Sequence, residues 1–424
     1  MAAALALVCG RAASAPARVD APQLAAPGPY AVGFASLTFT QANQPDPLAY
    51  RPGQAGLPAS ARILPVDVWY PARAPANARP VTYAGALTGE DGQPVAFTIA
   101  GRAIHGAPTL AGAFPLVILA HGYGGTPVAM RWLAENLASK GYVVAGPHFN
   151  DPPITQAAGF VGPLARRPLD IAFVAGEAQK RAGAGVFASA DPTRTVLIGY
   201  SMGGYGVLTA AGAGLNPALA RLTHGALGPY VAGGPRAAEL KVANLRAIVL
   251  IAPAGLFPGS EAWGSNGLAA VAAPSLFIVG DQDRTVGYDP GVKTLYAQES
   301  GAPRYLLTFE NGGHSIGMDA APAQMRRRLW DQDWFEDPVW RKSRVLDVEL
   351  HFITAFVDRF VKDDAAKAAY LDVAEPIANH AVWPARPGEP WDAVSPGAPP
   401  ITVWKGFQHR TATGLELRFA PATR

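Results

Sequence analysis

The pattern of apolar and polar positions changes character along the chain. Two early stretches, 30–41 and 62–70, alternate or enrich in β-forming residues and predict antiparallel opening strands. Residues 71–112 are rich in Gly, Pro and Thr and carry no helical period, which predicts short hairpins and loops. From Phe114 onward short apolar runs take over, at 115–120, 142–145, 195–198, 247–251 and 275–279, each bounded by Gly, Pro, His or Asp. Runs of this kind predict strands buried on both faces. Helical segments lie between them. At 128–139, Leu133 and Leu137 stand one turn apart and Gly141 is placed to end the helix; at 168–180, Pro168 comes early and Ile171, Val174, Ala175 and Ala178 share one face. A last strong helix is predicted at about 343–362, where Leu346, Leu350, Ile353, Val357 and Phe360 form a continuous stripe. Strand alternating with helix predicts an α/β fold, with a mostly parallel central sheet and helices on both faces.

The organisation that follows is a leader at 1–28, a main domain at 29–375 and a C-terminal extension at 376–424 that packs on the body. Within the extension, 381–400 reads as loop and 401–419 as a hairpin; within the domain, 212–244 reads as a small cap. No internal repeat is visible.

Composition narrows the partners. Charged residues are 16% of the 424, well below the usual quarter, so disorder driven by charge is excluded. The 46 glycines and 40 prolines fall short of a low-complexity polymer and predict many tight loops. Net charge is only +3, with basic residues scattered rather than gathered in a stripe, so nucleic acid is not the expected partner. The apolar run 1–10 is shorter than the ~18 residues a membrane span needs, so no integral membrane association is expected. Behind it come Arg11 and Ala13-Ser14-Ala15, a small-residue pattern like a signal-peptide cleavage site, although no basic segment precedes the run. Export to the periplasm or medium is expected. Cys9, the only cysteine, lies in the same run, so cleavage would leave no thiol for disulfides, zinc–thiolate sites or a cysteine nucleophile.

Four places carry chemistry. The run 195–198 leads at once into Gly199-Tyr200-Ser201-Met202-Gly203-Gly204 and then a helical stretch from Tyr205. Strand, sharp turn and helix are what a nucleophilic serine needs, because glycines on both sides relieve a strained turn and the helix N-terminus favours developing negative charge. The plainer reading of Ser201 is a turn or N-cap serine. The run 115–120 leads into His121-Gly122-Tyr123-Gly124-Gly125, where glycines let backbone N–H groups approach a ligand, or simply make a tight turn. After 275–279 comes Gly280-Asp281-Gln282-Asp283, a carboxylate at the ligand-binding end of a parallel strand. Asp283 is preferred, because the chain must turn past Gly280 before a side chain can aim at an imidazole; Asp281 is the alternative. After the run 304–309 comes Glu310-Asn311-Gly312-Gly313-His314-Ser315. Of the histidines that follow Asp283, namely His314, His351, His380 and His409, only His314 sits on a glycine-flanked loop directly after a strand. His105, His148 and His224 have no partner spacing for a metal site. Trp330, Trp334, Phe335 and Trp340 either wall a pocket or serve ordinary packing. The pocket candidates are Trp330 and Trp334, with His148 and Phe149.

Taken together, the elements resemble an α/β-hydrolase from about Tyr30 to Val373. More narrowly, Val66-Asp67-Val68-Trp69-Tyr70-Pro71-Ala72, the His121 to Gly125 loop, the Ser201 turn and the late helix resemble bacterial proteins described as predicted dienelactone hydrolases or platelet-activating-factor acetylhydrolase-like proteins. True dienelactone hydrolases carry cysteine where Ser201 stands. Eukaryotic platelet-activating-factor acetylhydrolases carry their aspartate after the strand that here ends in Ala252-Pro253-Ala254, so Asp283 must serve. The Ser201 motif with Tyr123 is also similar to cutinases and bacterial polyester hydrolases. The resemblance implies a serine esterase with a Ser201, Asp283, His314 triad and an oxyanion hole from the backbones of Tyr123 and Met202, with Gly122 or Gly124 as alternative donors. It implies no metal or organic cofactor, and a small-molecule or polymeric ester as substrate. A polyester hydrolase is one alternative. Another is a non-catalytic exported binding protein on a hydrolase scaffold, against which the intact triad argues.

Overall fold

Side chains along the central strands alternate between two apolar layers, and that alternation dictates the architecture. On β5 (Phe114–Ala120), Val117 and Leu119 join one buried cluster, while Leu116, Ile118 and Ala120 join the other. The same split recurs on β8 (Leu245–Ile251), with Val249 and Ile251 against Ile248 and Leu250. A strand buried on both faces must be covered on both, and helices do the covering. The computed structural model describes residues 21–423 apart from 55, 258, 265, 385–399 and 409–411. The signal-peptide pattern, Cys9, His409 and most of the loop expected at 381–400 lie outside the described residues.

The chain opens with β1 (Ala31–Pro45) and β2 (Ala59–Ala72), paired antiparallel as expected. Then come β3 (Pro80–Thr88) and β4 (Pro94–His105), which pair antiparallel as a hairpin within 71–112, as expected there, but with strands longer than the short ones expected. Their alternation is thin in the sequence, since the outward positions Ala84 and Ala86 are small and the buried ones are only Tyr83, Leu87, Phe97, Ile99 and Ala103. After β5 follow α1 (Arg131–Ser139), β6 (Val143–Pro147), α2 (Val161–Lys180), β7 (Ala190–Tyr200), α3 (Met202–Ala210), α4 (Ala218–Leu222) and β8. A two-stranded ribbon of β9 (Leu256–Phe257) and β10 (Ser260–Glu261) precedes β11 (Ser275–Gly280), α5 (Lys293–Gln298) and β12 (Arg304–Phe309). The chain ends with α6 (Leu329–Asp333), α7 (Lys342–Val361) and β13 (Leu415–Ala420).

Among the described residues one sheet of eleven strands results, in the order β13-β12-β11-β8-β7-β5-β6-β2-β1-β4-β3. The six strands from β12 to β6 run parallel. Helices α1 and α7 cover one face, through Leu133, Val348 and Phe352; α2 and α3 cover the other, through Leu169 and Leu208. The chain steps from β5 outward to β6 and then returns to β7 on the opposite side of β5, so the crevice between β5 and β7 is where a ligand binds in such a sheet.

Helix α2 begins at Val161, well before Pro168, which sits in its interior. Proline has no N–H to give the carbonyl one turn back. The Tyr205 hydroxyl supplies that bond instead, donating to Leu164 O at 3.0 Å. The segment 212–244 is not a lid over the crevice: Leu215, Leu219 and Leu227 pack into the cluster of α2 and α3, and Val242 N–H donates to Ala210 O at 2.9 Å. Nor do the described residues of 401–419 form a hairpin. A single strand, β13, pairs antiparallel with β12, and the segment before it is pinned by Trp404, buried against Phe352 with its indole N–H on Glu375 O at 2.7 Å. No helix among the described residues is long and apolar enough to cross a membrane.

Candidate active site

Ser201 sits in the turn between β7 and α3 with φ 53° and ψ −118°, a backbone conformation that costs energy for any residue but glycine. The turn is held from three sides. Ser201 N–H donates to Ile251 O at 2.9 Å, and its own carbonyl accepts from Gly204 N–H at 2.8 Å and Ala254 N–H at 3.0 Å. Gly203 is obligatory, because a Cβ there would lie 2.1 Å from Ala120 O on the neighbouring strand. The local sequence thus places the serine hydroxyl at the C-terminal end of the sheet, beside the β5–β7 crevice.

Two other strand ends bring partners to it. His314 follows β12, and its Nε2 is 3.0 Å from Ser201 Oγ. Its Nδ1 is 2.7 Å from Oδ2 of Asp283, which follows β11. The other oxygen of Asp283 accepts N–H bonds from Thr285 at 2.9 Å and Val286 at 3.0 Å. Burial alone would raise this carboxyl, but the hydrogen bond and charge of His314, with those two N–H groups, outweigh it and hold Asp283 below the ordinary carboxylate range. Asp281, the alternative acid, is turned elsewhere and accepts Asn311 N–H at 2.7 Å.

The imidazole is fixed by groups that sequence reasoning gave no part. Tyr200 stacks on His314 with centroids 5.2 Å apart and donates its hydroxyl to His314 O at 3.1 Å. Asp337 accepts Gly313 N–H at 2.7 Å, and Lys342 Nζ donates to Ser315 O at 2.7 Å. Burial pulls the Lys342 ammonium below its usual value, partly offset by the surrounding carboxylates. Tyr200 lay inside the serine motif, but no local signal marks Asp337 or Lys342.

The loop after β5 is equally braced. His121 is buried, and its Nδ1–H donates to Gly122 O at 2.7 Å while Nε2 accepts Phe149 N–H at 3.2 Å. Burial first, and then the charge of Arg167, hold this imidazole far below its usual value, so it is neutral. Beneath the loop Arg167 and Asp151 form a buried ion pair at 2.6 Å, and Asp151 also accepts Gly124 N–H at 3.0 Å. That bond commits Gly124, one of the alternative oxyanion donors. The N–H groups of Gly122, Tyr123 and Met202 find no acceptor among the described residues.

A cavity of about 370 Å³ opens at Ser201 and His314, walled by Tyr123, Ile154, Trp330 and Trp334. Its volume suits a small organic ligand. Trp330 and Trp334 line this cavity, whereas Phe335 and Trp340 are packed in the core. The other two pocket candidates do not line this cavity. Phe149 is buried, with the Arg167 guanidinium 3.7 Å over its ring, and serves packing. His148 pairs with Asp67 at 2.9 Å and faces a second cavity of about 360 Å³ across Gly124 and Gly125. No residue of 212–244 lines either cavity. Among the described residues no three His, Cys, Asp or Glu side chains gather as a metal site requires. No protein-family model matches the chain, and no curated protein matches it.

Proposed function

We propose that the protein is a serine esterase of the α/β-hydrolase type, cleaving carboxylic esters through an acyl-enzyme intermediate. One observation carries this reading: the unbroken chain of hydrogen bonds from Ser201 Oγ to His314 at 3.0 Å and from His314 to Asp283 at 2.7 Å. Three side chains from three strand ends, aligned this way on a strained serine, have a use in proton transfer and none in packing.

In this mechanism Ser201 Oγ attacks the ester carbonyl carbon while His314 Nε2 takes its proton. Asp283 fixes the imidazole in the tautomer with its proton on Nδ1 and stabilises the imidazolium that forms. The tetrahedral oxyanion is held by the N–H groups of Tyr123 and Met202, both uncommitted, and by the N-terminal end of α3. His314 then returns the proton to the leaving alkoxide. Water, activated by the same imidazole, releases the acid and regenerates Ser201. Losing one oxyanion donor costs about 3 kcal/mol of barrier by analogy with measured holes.

The test is direct. A fluorophosphonate probe is expected to label the protein at Ser201, and short p-nitrophenyl esters to be hydrolysed, both lost in Ser201→Ala. A folded wild-type protein that neither labels nor turns over any ester in a series of graded chain length would refute the reading. Oligomeric aliphatic polyester, offered beside that series, tells a polymer hydrolase from a small-ester enzyme.

A further inference from the structure

The excursion between β12 and α7 carries His314 at its start and the tryptophan wall of the cavity further on. Within it Arg326, Arg327, Arg328, Leu329 and Trp330 are five exposed residues in a row. Leu329 is 83% exposed and Val339, further along the same excursion, 62%, the highest values among the large apolar residues described. Trp330 is 43% exposed and also lines the cavity at Ser201. Leu329 and Trp330, apolar side chains in water directly after the guanidinium row, with Trp330 at the mouth of the site, are unfavourable in isolation and favourable against a surface that offers both hydrocarbon and negative charge.

We propose that this rim docks the protein peripherally on an anionic phospholipid surface, with the cavity mouth turned toward the bilayer. Leu329, Val339 and the edge of Trp330 enter the headgroup boundary, where an indole is at home. The arginines take lipid phosphates and carboxylates. Arg328 lies 3.3 Å from Asp91 and Arg326 lies 3.8 Å from Glu336, but these are exposed pairs that hold weakly, and a guanidinium exchanges a carboxylate for a phosphate readily. Arg327 has no carboxylate partner among the described residues. Of the acids just after the row, Asp331 is buried and accepts Glu90 N–H at 3.3 Å, which leaves Asp333 as the exposed opposing charge on α6. A bare polymer surface would use the apolar residues without the arginines, and a nucleic acid the arginines without Leu329 and Val339; a phospholipid surface uses both. Docking needs no catalysis, and only the delivery of membrane-dissolved esters to Ser201 rests on the esterase reading.

The experiment sediments full-length Ser201→Ala protein with vesicles of phosphatidylcholine alone or with about 30% phosphatidylserine, which supplies the negative surface potential. Binding is expected to require the anionic lipid and to weaken as salt rises. Replacing Arg326, Arg327 and Arg328 together by Ala is expected to lower the affinity by about 10- to 100-fold, and Leu329→Ser with Val339→Ser by about tenfold. In the Ser201 background both variants should keep wild-type turnover of a soluble short ester, which shows them folded. Failure to sediment with anionic vesicles overturns the proposal, as does sedimentation indifferent to either substitution set, or capture on polyester beads in place of vesicles. Vesicle binding by a protein that hydrolyses no ester would leave the docking surface standing and remove the esterase reading alone.

Discussion

Replacing Asp283 by Asn tests the triad through a single proton. One oxygen of Asp283 is already fixed by Thr285 and Val286 N–H groups at 2.9 and 3.0 Å, so the Asn carbonyl takes that place and its NH₂ must face His314. An NH₂ facing Nδ1 at 2.7 Å forces that nitrogen to accept, which moves the ring proton to Nε2 and points it at Ser201 Oγ. The histidine then has no lone pair for the serine proton, while volume and packing are unchanged. Such a wrong-tautomer lesion costs about 10⁴-fold in kcat, close to 5.5 kcal/mol of barrier at about 1.4 kcal/mol per decade. The assay is steady-state hydrolysis of a short p-nitrophenyl ester, with Ser201→Ala as the floor and far-ultraviolet dichroism as the check on folding. A folded Asp283→Asn enzyme within about threefold of wild type would refute the assignment, and with it the argument from the two N–H bonds. Asp281→Asn is the matched control, since its bond to Asn311 N–H survives in the amide, and it should keep full activity. Because the folded Asp283 carboxyl titrates below its unfolded value, its contribution to stability is present at neutral pH and is lost as pH falls through that depressed value.

Other perturbations read the supports of the site. Arg167→Met leaves the buried Asp151 side chain without its ion-pair partner; it should cost about 3–5 kcal/mol in urea unfolding, and a loss under about 1 kcal/mol would refute the buried pair. Gly203→Ala puts a methyl group 2.1 Å from Ala120 O, so either folding or the Ser201 geometry fails, and wild-type turnover in this variant would show the turn to be looser than described. Glu299 is fully buried beside Ser275 and Arg304, and burial pushes its carboxyl up to about 8. Its stabilising contribution is fully present below the unfolded value and is lost as pH rises toward and through about 8. Glu299→Gln should therefore melt higher than wild type at alkaline pH and show no such gain near pH 5, as differential scanning calorimetry would read; equal melting at both would refute it.

Much of this architecture could be read from local pattern. The parallel strands announce themselves because a strand covered on both faces is a largely apolar run, and 304–309 matches β12 end to end. Ser201 and His314 were legible for the same reason: each lies in the turn or loop that follows such a run, and chain direction then fixes which edge it reaches. Choosing Asp283 over Asp281 needed only the turn after Gly280. By contrast the full length of β3 and β4 was hidden by small outward residues, and the early start of α2 by a proline whose missing hydrogen bond is made good by Tyr205, distant in sequence. The cap reading of 212–244 failed because length between elements says nothing of which face a segment packs on, and its leucines belong to the α2 and α3 layer.

What stays illegible is the layer beneath the loops, and the reason is physical. A catalytic loop must hold its backbone in place without regular hydrogen bonding, so its carbonyls and N–H groups look for partners wherever the fold offers them. Here Lys342 and Asp337 reach the His314 loop, and Arg167 with Asp151 reach the Gly122 to Gly125 loop. Each of these side chains is charged and buried, and in a sequence each reads as one more solvated residue on a helix or loop. Their partners are main-chain atoms, which carry no residue identity to search for. Burial makes the arrangement demanding, since a charge removed from water without its partner costs several kcal/mol, and that same cost locks the loops once every partner is present. Rigid loops on a strained serine turn are what a preorganised oxyanion site requires. The side chains that perform the proposed chemistry are thus legible by position, and those that make it rigid only by contact.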